Sequence, residues 1–568
     1  MFVVKQFKYL LFIYFIFNFG VSLAASEATS EDANLEAFEW NLMLVGGSMN
    51  TCSSMAPGRC ADTSWIDPEK MRTTNFVDVS DENIQRILAE VNWQGDAEIR
   101  AKVAEMLASA KRRFAGRSAT MEDFTGFFRD LYTNLWREVT TPQWYLIRDN
   151  LQATEQPDQH EISRPELSKE AEGADLFAAF AQRAKYLADA QNQEPLVLVV
   201  TASGRDSFDA VDFYLDTFRS QGVQAQWLPI DAAFGHAVAA NNCEAISQLR
   251  EVHQQAFARE RVYPWLAEQQ KKACENPEML LSLIAKAQGV FINGGDQSLT
   301  RQAFYSPNGN ASSWFTAIRA RMNEGMMVAG GTSAGTAVMS GAPMISNGSS
   351  EAALREGAFA MAQPPAADCA RFANCEPAVS ANSLTYHPQG GLGLFPFGIL
   401  DTHFSERGRQ GRLLSLQHAT GTPLGVGVDE TTALLVNAQS GEFRVQGAHG
   451  VFIQGFPEET ESGVLARFSY LRNGSGGRFS QEKALTEAFF STEANLDAGA
   501  SGSHEFLRDR SITAALATCD SEANTAHYYR EQQDLSVLIV FDEYTQRAHS
   551  EGACEIVNGI IHFAAESD

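Results

Sequence analysis

Basic residues are scarce in this chain. Lys and Arg number 44 against 70 Asp and Glu in 568 residues, giving a formal net charge of -26. Nucleic-acid contact needs Lys and Arg clustered against phosphate, so this balance argues against a nucleic-acid partner and suits a soluble protein or a cationic partner. Long apolar runs are missing as well. Beyond the first residues nothing approaches the ~20 apolar positions of a membrane-spanning helix. There is no C-x-x-C, no H-E-x-x-H and no carboxylate cage, so no metal is expected, and with no nucleotide-binding loop no cofactor is expected either. With 44% hydrophobic and 20% charged residues the composition is that of a globular protein, which excludes disorder as the default. A chain of this length implies several domains, or one domain with large insertions.

What is present begins at the N-terminus. Lys5 and Lys8 precede an apolar stretch from Tyr9 to Val21, and Ser22-Leu23-Ala24 supplies small residues at the cleavage positions. Residues 1–24 therefore read as a secretory signal peptide, which implies a secreted or periplasmic protein with no membrane association after cleavage. Eight cysteines suit an oxidising compartment. They fall in neighbouring couples, and the simplest pairing is 52–60, 243–274, 369–375 and 519–554.

Residues 25–66 read as a polar leader followed by a first strand, Trp40 to Val45, that runs into Gly46-Gly47. Residues 67–190 read as a helical insertion, with apolar residues at helical spacing at Ile84, Ile87, Leu88 and Val91 and again at Phe124, Phe127, Phe128, Leu131 and Leu135. The aromatic stripe is most simply the core of that insertion. From 191 to 480 strands and helices alternate, with strands at 196–201, 225–230, 289–293, 326–329 and 398–403 and several more up to 454. This is the pattern of a doubly wound, mainly parallel α/β sheet. Residues 481–568 form a C-terminal extension, with a helix expected over 480–490 and a strand over 535–541.

The chemistry concentrates in three places. Gly331-Thr332-Ser333-Ala334-Gly335 is a G-x-S-x-G between a predicted strand and a predicted helix running past Met339, the context a nucleophile elbow requires. His403, at the end of its own strand, is the natural general base. A carboxylate must orient the imidazole, and Glu351, Asp401, Asp429 and Glu430 are the candidates. Asn293-Gly294-Gly295-Asp296-Gln297 follows another strand. There the N–H of Gly295, with that of Ala334, can form an oxyanion hole. Arg407, Arg409 and Arg412 follow His403 closely and suit a substrate carboxylate, since guanidinium forks bind such groups bidentately.

Taken together, these motifs resemble the peptidase family that contains cyanophycinase and dipeptidase E. They include Gly46-Gly47, Thr201-Ala202-Ser203, Gly294-Gly295-Asp296-Gln297, the Ser333 elbow, Asp401-Thr402-His403-Phe404-Ser405-Glu406-Arg407-Gly408-Arg409 and Gly427-Val428-Asp429-Glu430-Thr431-Thr432-Ala433. The resemblance implies a flavodoxin-like or glutamine-amidotransferase-like fold. It also implies a serine nucleophile, Ser333, served by His403 and by an acid a short interval after the elbow, which Glu351 matches (351 − 333 = 18). It implies a substrate pocket of Gln297, Asp401, Thr402, Arg407, Arg409 and Arg412. Thr402 departs from the glutamine that cyanophycinases usually carry there. The implied substrate is cyanophycin, a polyaspartate bearing arginine on its side chains, cut to β-aspartyl-arginine dipeptides. Other aspartyl peptides, or a catalytically silent binding protein on the same fold, are the competing readings. A second copy of the chain, forming a homodimer, is a further candidate partner.

Overall fold

The computed structural model describes residues 38–93, 95–480, 482–491, 525–530, 535–550 and 553–565. The signal-peptide segment and Cys519 lie outside the described residues. At the centre five strands run parallel, in the spatial order Leu42–Val45, Val328–Thr332, Gly289–Ile292, Leu196–Val200 and Gln224–Trp227. Their side chains alternate between two faces. Met43, Val45, Val197, Val199, Phe291 and Val328 pack with Phe177, Phe180 and Phe218 of the helices Glu172–Gln191 and Val211–Ser220. Leu42, Leu44, Leu198, Val200, Val290 and Ile292 pack with Phe234, Ile284, Phe315 and Ile318 on the other side. Burial on both faces is why these strands read as continuous apolar runs, and it makes the sheet doubly wound.

Two antiparallel additions extend this core. Thr432–Val436 pairs antiparallel with Leu42–Val45 and leads outward through Glu442–Gly447 and Gly476–Phe479 to Leu485–Phe489. A second sheet starts from the parallel pair Ile399–Thr402 and Gly425–Val428. It continues antiparallel through Gly450–Gln454, Gly463–Arg472, Ala553–Ala565 and Leu535–Val540 to Thr525–Arg530. The helix expected over 480–490 is instead the strand Leu485–Phe489, because Gly476–Phe479 offers an unpaired edge and tertiary pairing overrides a weak local preference. The expected strand at 535 is present as Leu535–Val540.

The segment from Asp81 to Leu151 is helical and closes its own core. Phe124, Phe128, Trp136 and Trp144 interlock there, with Phe124 and Trp144 stacked at 6.4 Å and 2°. The aromatic stripe is core, as its spacing suggests. The helix Glu172–Gln191, by contrast, packs on the main sheet. A buried ion pair fastens the helical segment to the loop after Leu196–Val200: Arg205 binds Asp149 through two 2.8 Å contacts. Arg259 bridges the two, donating to the Asp149 carbonyl at 3.1 Å and pairing with Asp206, and Arg72, ahead of the segment, donates to the Asp209 carbonyl at 2.8 Å. That loop touches the candidate site, since Asp296 N–H donates to the Ser203 carbonyl at 2.7 Å. Disulfides 52–60, 243–274 and 369–375 are present, while the expected 519–554 pair includes a residue outside the described ones.

Candidate active site

The turn after Val328–Thr332 places Ser333 at φ 55° and ψ -116°, a conformation that costs a residue with a side chain ~1–3 kcal/mol and is held only where its surroundings enforce it. The surroundings do so. Ser333 N–H donates to the Val45 carbonyl at 3.0 Å, and the Thr336 hydroxyl bridges the Val45 and Gly331 carbonyls at 2.7 Å each. A β-carbon on Gly331 would come within 2.5 Å of Gly335, and one on Gly335 within 2.3 Å of the Ile292 carbonyl. The two glycines of the motif are therefore required by space. The helix that follows is shorter than expected, only Ala334–Ala337, because the chain turns away after Met339 to meet Leu392 and Phe395.

Ser333 Oγ lies 2.7 Å from His403 Nε2, and His403 Nδ1 lies 2.6 Å from Glu430 Oε1. His403 sits at φ 46°, with its N–H donating to the Gly46 carbonyl at 2.9 Å. Its ring lies directly over Gly47, where a β-carbon would fall 2.3 Å from Cε1, and Gly47 itself adopts φ 130°. The Gly46-Gly47 turn is thus the floor on which the imidazole lies. Burial pulls the His403 imidazole below its ordinary value; Glu430 opposes this, and Arg407 and Arg409 add to it. Glu430 is held below the usual carboxylate range, chiefly by its hydrogen bond with His403.

The acid implied by the family interval is not the one the fold delivers. Glu351 lies on the helix Ser350–Glu356, 3.9 Å from Arg355 and a third exposed, and it does not contact His403. Its helix packs against Gln410–Thr420, with Ser350 Oγ bonded to the Gly408 carbonyl, whereas Nδ1 of His403 faces the turn after Gly425–Val428. Glu430 is the carboxylate at hydrogen-bond distance from His403. Parallel pairing of Ile399–Thr402 with Gly425–Val428 brings His403 and Glu430 to the same sheet end, a relation that spacing along the chain does not reveal.

Gly294 flanks Ser333, its β-carbon position 3.7 Å from Ser333 Oγ. Tyr214, a residue sequence reasoning missed, has its hydroxyl beside Gly294, and burial raises that hydroxyl above its ordinary value. Gly295 follows at φ 146°. Ala334 N–H lies at the start of the elbow helix, so both expected oxyanion donors belong to turns adjoining Ser333. Gln297 donates to the Ile345 carbonyl at 2.8 Å and the Ser346 carbonyl at 3.3 Å, fixing a neighbouring strand. Asp401 is fully buried and gripped by Arg412, through contacts of 2.8 and 2.5 Å, and by Arg409 at 3.4 Å. Burial would raise its carboxyl, but Arg412 and Arg409 outweigh it and hold it low. Thr402 N–H also donates to Asp401, and the Thr402 carbonyl accepts from Arg409 at 2.6 Å. Asp401 and Arg412 thus brace the loop after His403, and the exposed guanidinium beside the relay is that of Arg407. Burial and the adjacent Arg412 pull the Arg409 guanidinium below its ordinary value, so this corner is short of negative charge.

A serine hydroxyl on an imidazole that is itself anchored by a carboxylate can act as a nucleophile relay. No family model matches the chain. It is 31% identical over 182 residues to the cyanophycinase of Synechococcus elongatus, covering 32% of this chain and 46% of that protein. It is 32% identical over 184 residues to the cyanophycinase of Trichormus variabilis, covering 32% of this chain and 50% of that protein. A third cyanophycinase, from Geminocystis herdmanii, is 33% identical over 150 residues. The chain thus spans about half the length of the curated relatives it matches. A crystallised peptidase from an acI-B1 actinobacterium aligns over 54% of this chain and 91% of its own at 17% identity, with a TM-score of 0.32. Over about a third of its length the chain is similar to cyanophycinases, in line with the resemblance read from the motifs.

Proposed function

We propose that this protein is a secreted serine-type peptidase that hydrolyses cyanophycin to β-aspartyl-arginine dipeptides. The observation that carries the reading is the continuous relay Ser333–His403–Glu430, at 2.7 and 2.6 Å. Ser333 Oγ attacks the scissile carbonyl carbon while His403 Nε2 takes its proton. The carbonyl oxygen gains the negative charge and is received by the N–H groups of Gly295 and Ala334, each such donor contributing ~3–4 kcal/mol of transition-state stabilisation. The C–N bond then breaks as His403 returns the proton to the leaving nitrogen. A water attacks the acyl-serine ester, His403 takes its proton, the ester C–O bond breaks, and Ser333 Oγ recovers the proton. Glu430 remains ionised throughout and stabilises the imidazolium.

Arg407 stands beside the relay with Arg409 behind it, and together they suit a substrate carboxylate. The net charge of -26 suits an arginine-rich polymer. The disulfides suit an oxidising compartment. One residue favours a second reading: Thr402, where cyanophycinases usually carry glutamine, suits a peptidase acting on other aspartyl peptides. Incubation with cyanophycin, with dipeptide release followed by mass spectrometry beside a Ser333→Ala control, separates the two. Release by the wild-type protein alone supports the first reading. Fluorophosphonate labelling of Ser333 without release supports the second.

A further inference from the structure

The acid of the relay follows immediately after a second carboxylate that takes no part in the proton transfer. Asp429 is 1% exposed. One of its oxygens accepts the Ser405 N–H at 2.9 Å, two residues beyond His403. The other accepts the Tyr470 hydroxyl at 2.8 Å and the Gly450 N–H at 3.4 Å. Asp429 therefore ties the backbone that carries His403 to the backbone that carries Glu430. Both segments are strained, His403 at φ 46° and Thr431 at φ 52°, and such conformations persist only where neighbours over-determine them. Tyr470 comes from the strand Gly463–Arg472, well beyond the motifs of the relay, and is itself 2% exposed. Its ring reaches Asp429 across Gly450, where a β-carbon would fall 2.3 Å from the ring and close the path. Burial, with the Asp429 carboxylate beside it, raises the Tyr470 hydroxyl well above its ordinary value, so it remains a donor.

We infer that Asp429 and Tyr470 are positioning residues, which hold His403 and Glu430 in register so that the 2.6 Å contact between them survives. This inference rests on the relay reading above. It gives the strand Gly463–Arg472 a part in activity as well as in packing.

The test is the rate at which a fluorophosphonate labels Ser333 in the full-length protein, followed across pH, for wild type, Tyr470→Phe and Asp429→Asn. The first variant removes only a hydroxyl and keeps the ring, so it decides the matter even if the second does not fold. The expected result is a melting transition close to wild type, a plateau labelling rate lowered about tenfold or more, and an acid midpoint moved to lower pH. That direction follows because Glu430 raises the His403 value and a loosened contact raises it less. Folded variants with the wild-type plateau and midpoint would overturn the inference while leaving the relay intact. A wild-type protein that does not label at all would overturn both.

Discussion

Replacing Glu430 by Gln tests the site most sharply, because the resemblance and the fold nominate different acids. The imidazole is 11% exposed and its partner carboxylate 25%. In the proposed reaction His403 becomes an imidazolium in the transition state, with Arg407 and Arg409 close enough to disfavour its charge. Glu430 supplies the compensating negative charge at a 2.6 Å contact. With charge centres ~4 Å apart and an effective dielectric constant of ~20, that attraction is about 4 kcal/mol, or roughly a thousandfold in rate. A Gln side chain can also turn its amine toward Nδ1 and hold the wrong tautomer, which extends the expected loss toward ~10,000-fold. Glu351→Gln neutralises a partly exposed carboxylate 3.9 Å from Arg355, on a helix that packs against Gln410–Thr420, so a change within about twofold is expected. The assay is the rate of Ser333 labelling by a fluorophosphonate, together with kcat/KM for dipeptide release. A collapse in Glu351→Gln with near-normal rates in Glu430→Gln would refute this argument and restore the acid that the family interval implies.

Three further outcomes are expected. Because the His403 value is depressed and the neutral imidazole is the base, activity should persist as pH falls past the ordinary imidazole value of ~6.5 and fail only below it, as a pH profile of kcat/KM will report. The same depressed value means that the unfolded chain takes up a proton that folded His403 refuses, so stability from this group is present above ~6.5 and lost as pH falls below it. Gly47→Ala should lower labelling at least a hundredfold without abolishing folding, because the new methyl would sit 2.3 Å from the imidazole at a φ of 130°. Wild-type labelling in that variant would show that the Gly47 floor does not set the ring's position.

Much of this molecule was legible before its tertiary structure. The runs 196–200 and 289–292 are apolar on both faces and bounded by helical periods, so the parallel α/β core followed from local pattern. Ser333 was legible for a similar reason: an elbow is made by consecutive residues, and its glycines are required by contacts a few positions away. Neighbouring cysteines paired as expected because short loops are the cheapest to close. The tertiary structure decided what depends on residues meeting across strands. Glu430 partners His403 because two strands run parallel, and an interval counted along one chain pointed to Glu351 on the wrong helix. Leu485–Phe489 became a strand because an open sheet edge was waiting for it. Arg412 and Asp401 are of a type that can bind substrate, yet burial turned them on each other. Residue type and spacing determined which reactive groups this chain carries. Strand pairing over long separations decided which carboxylate serves it, because hydrogen-bond geometry is set by where backbones meet in space.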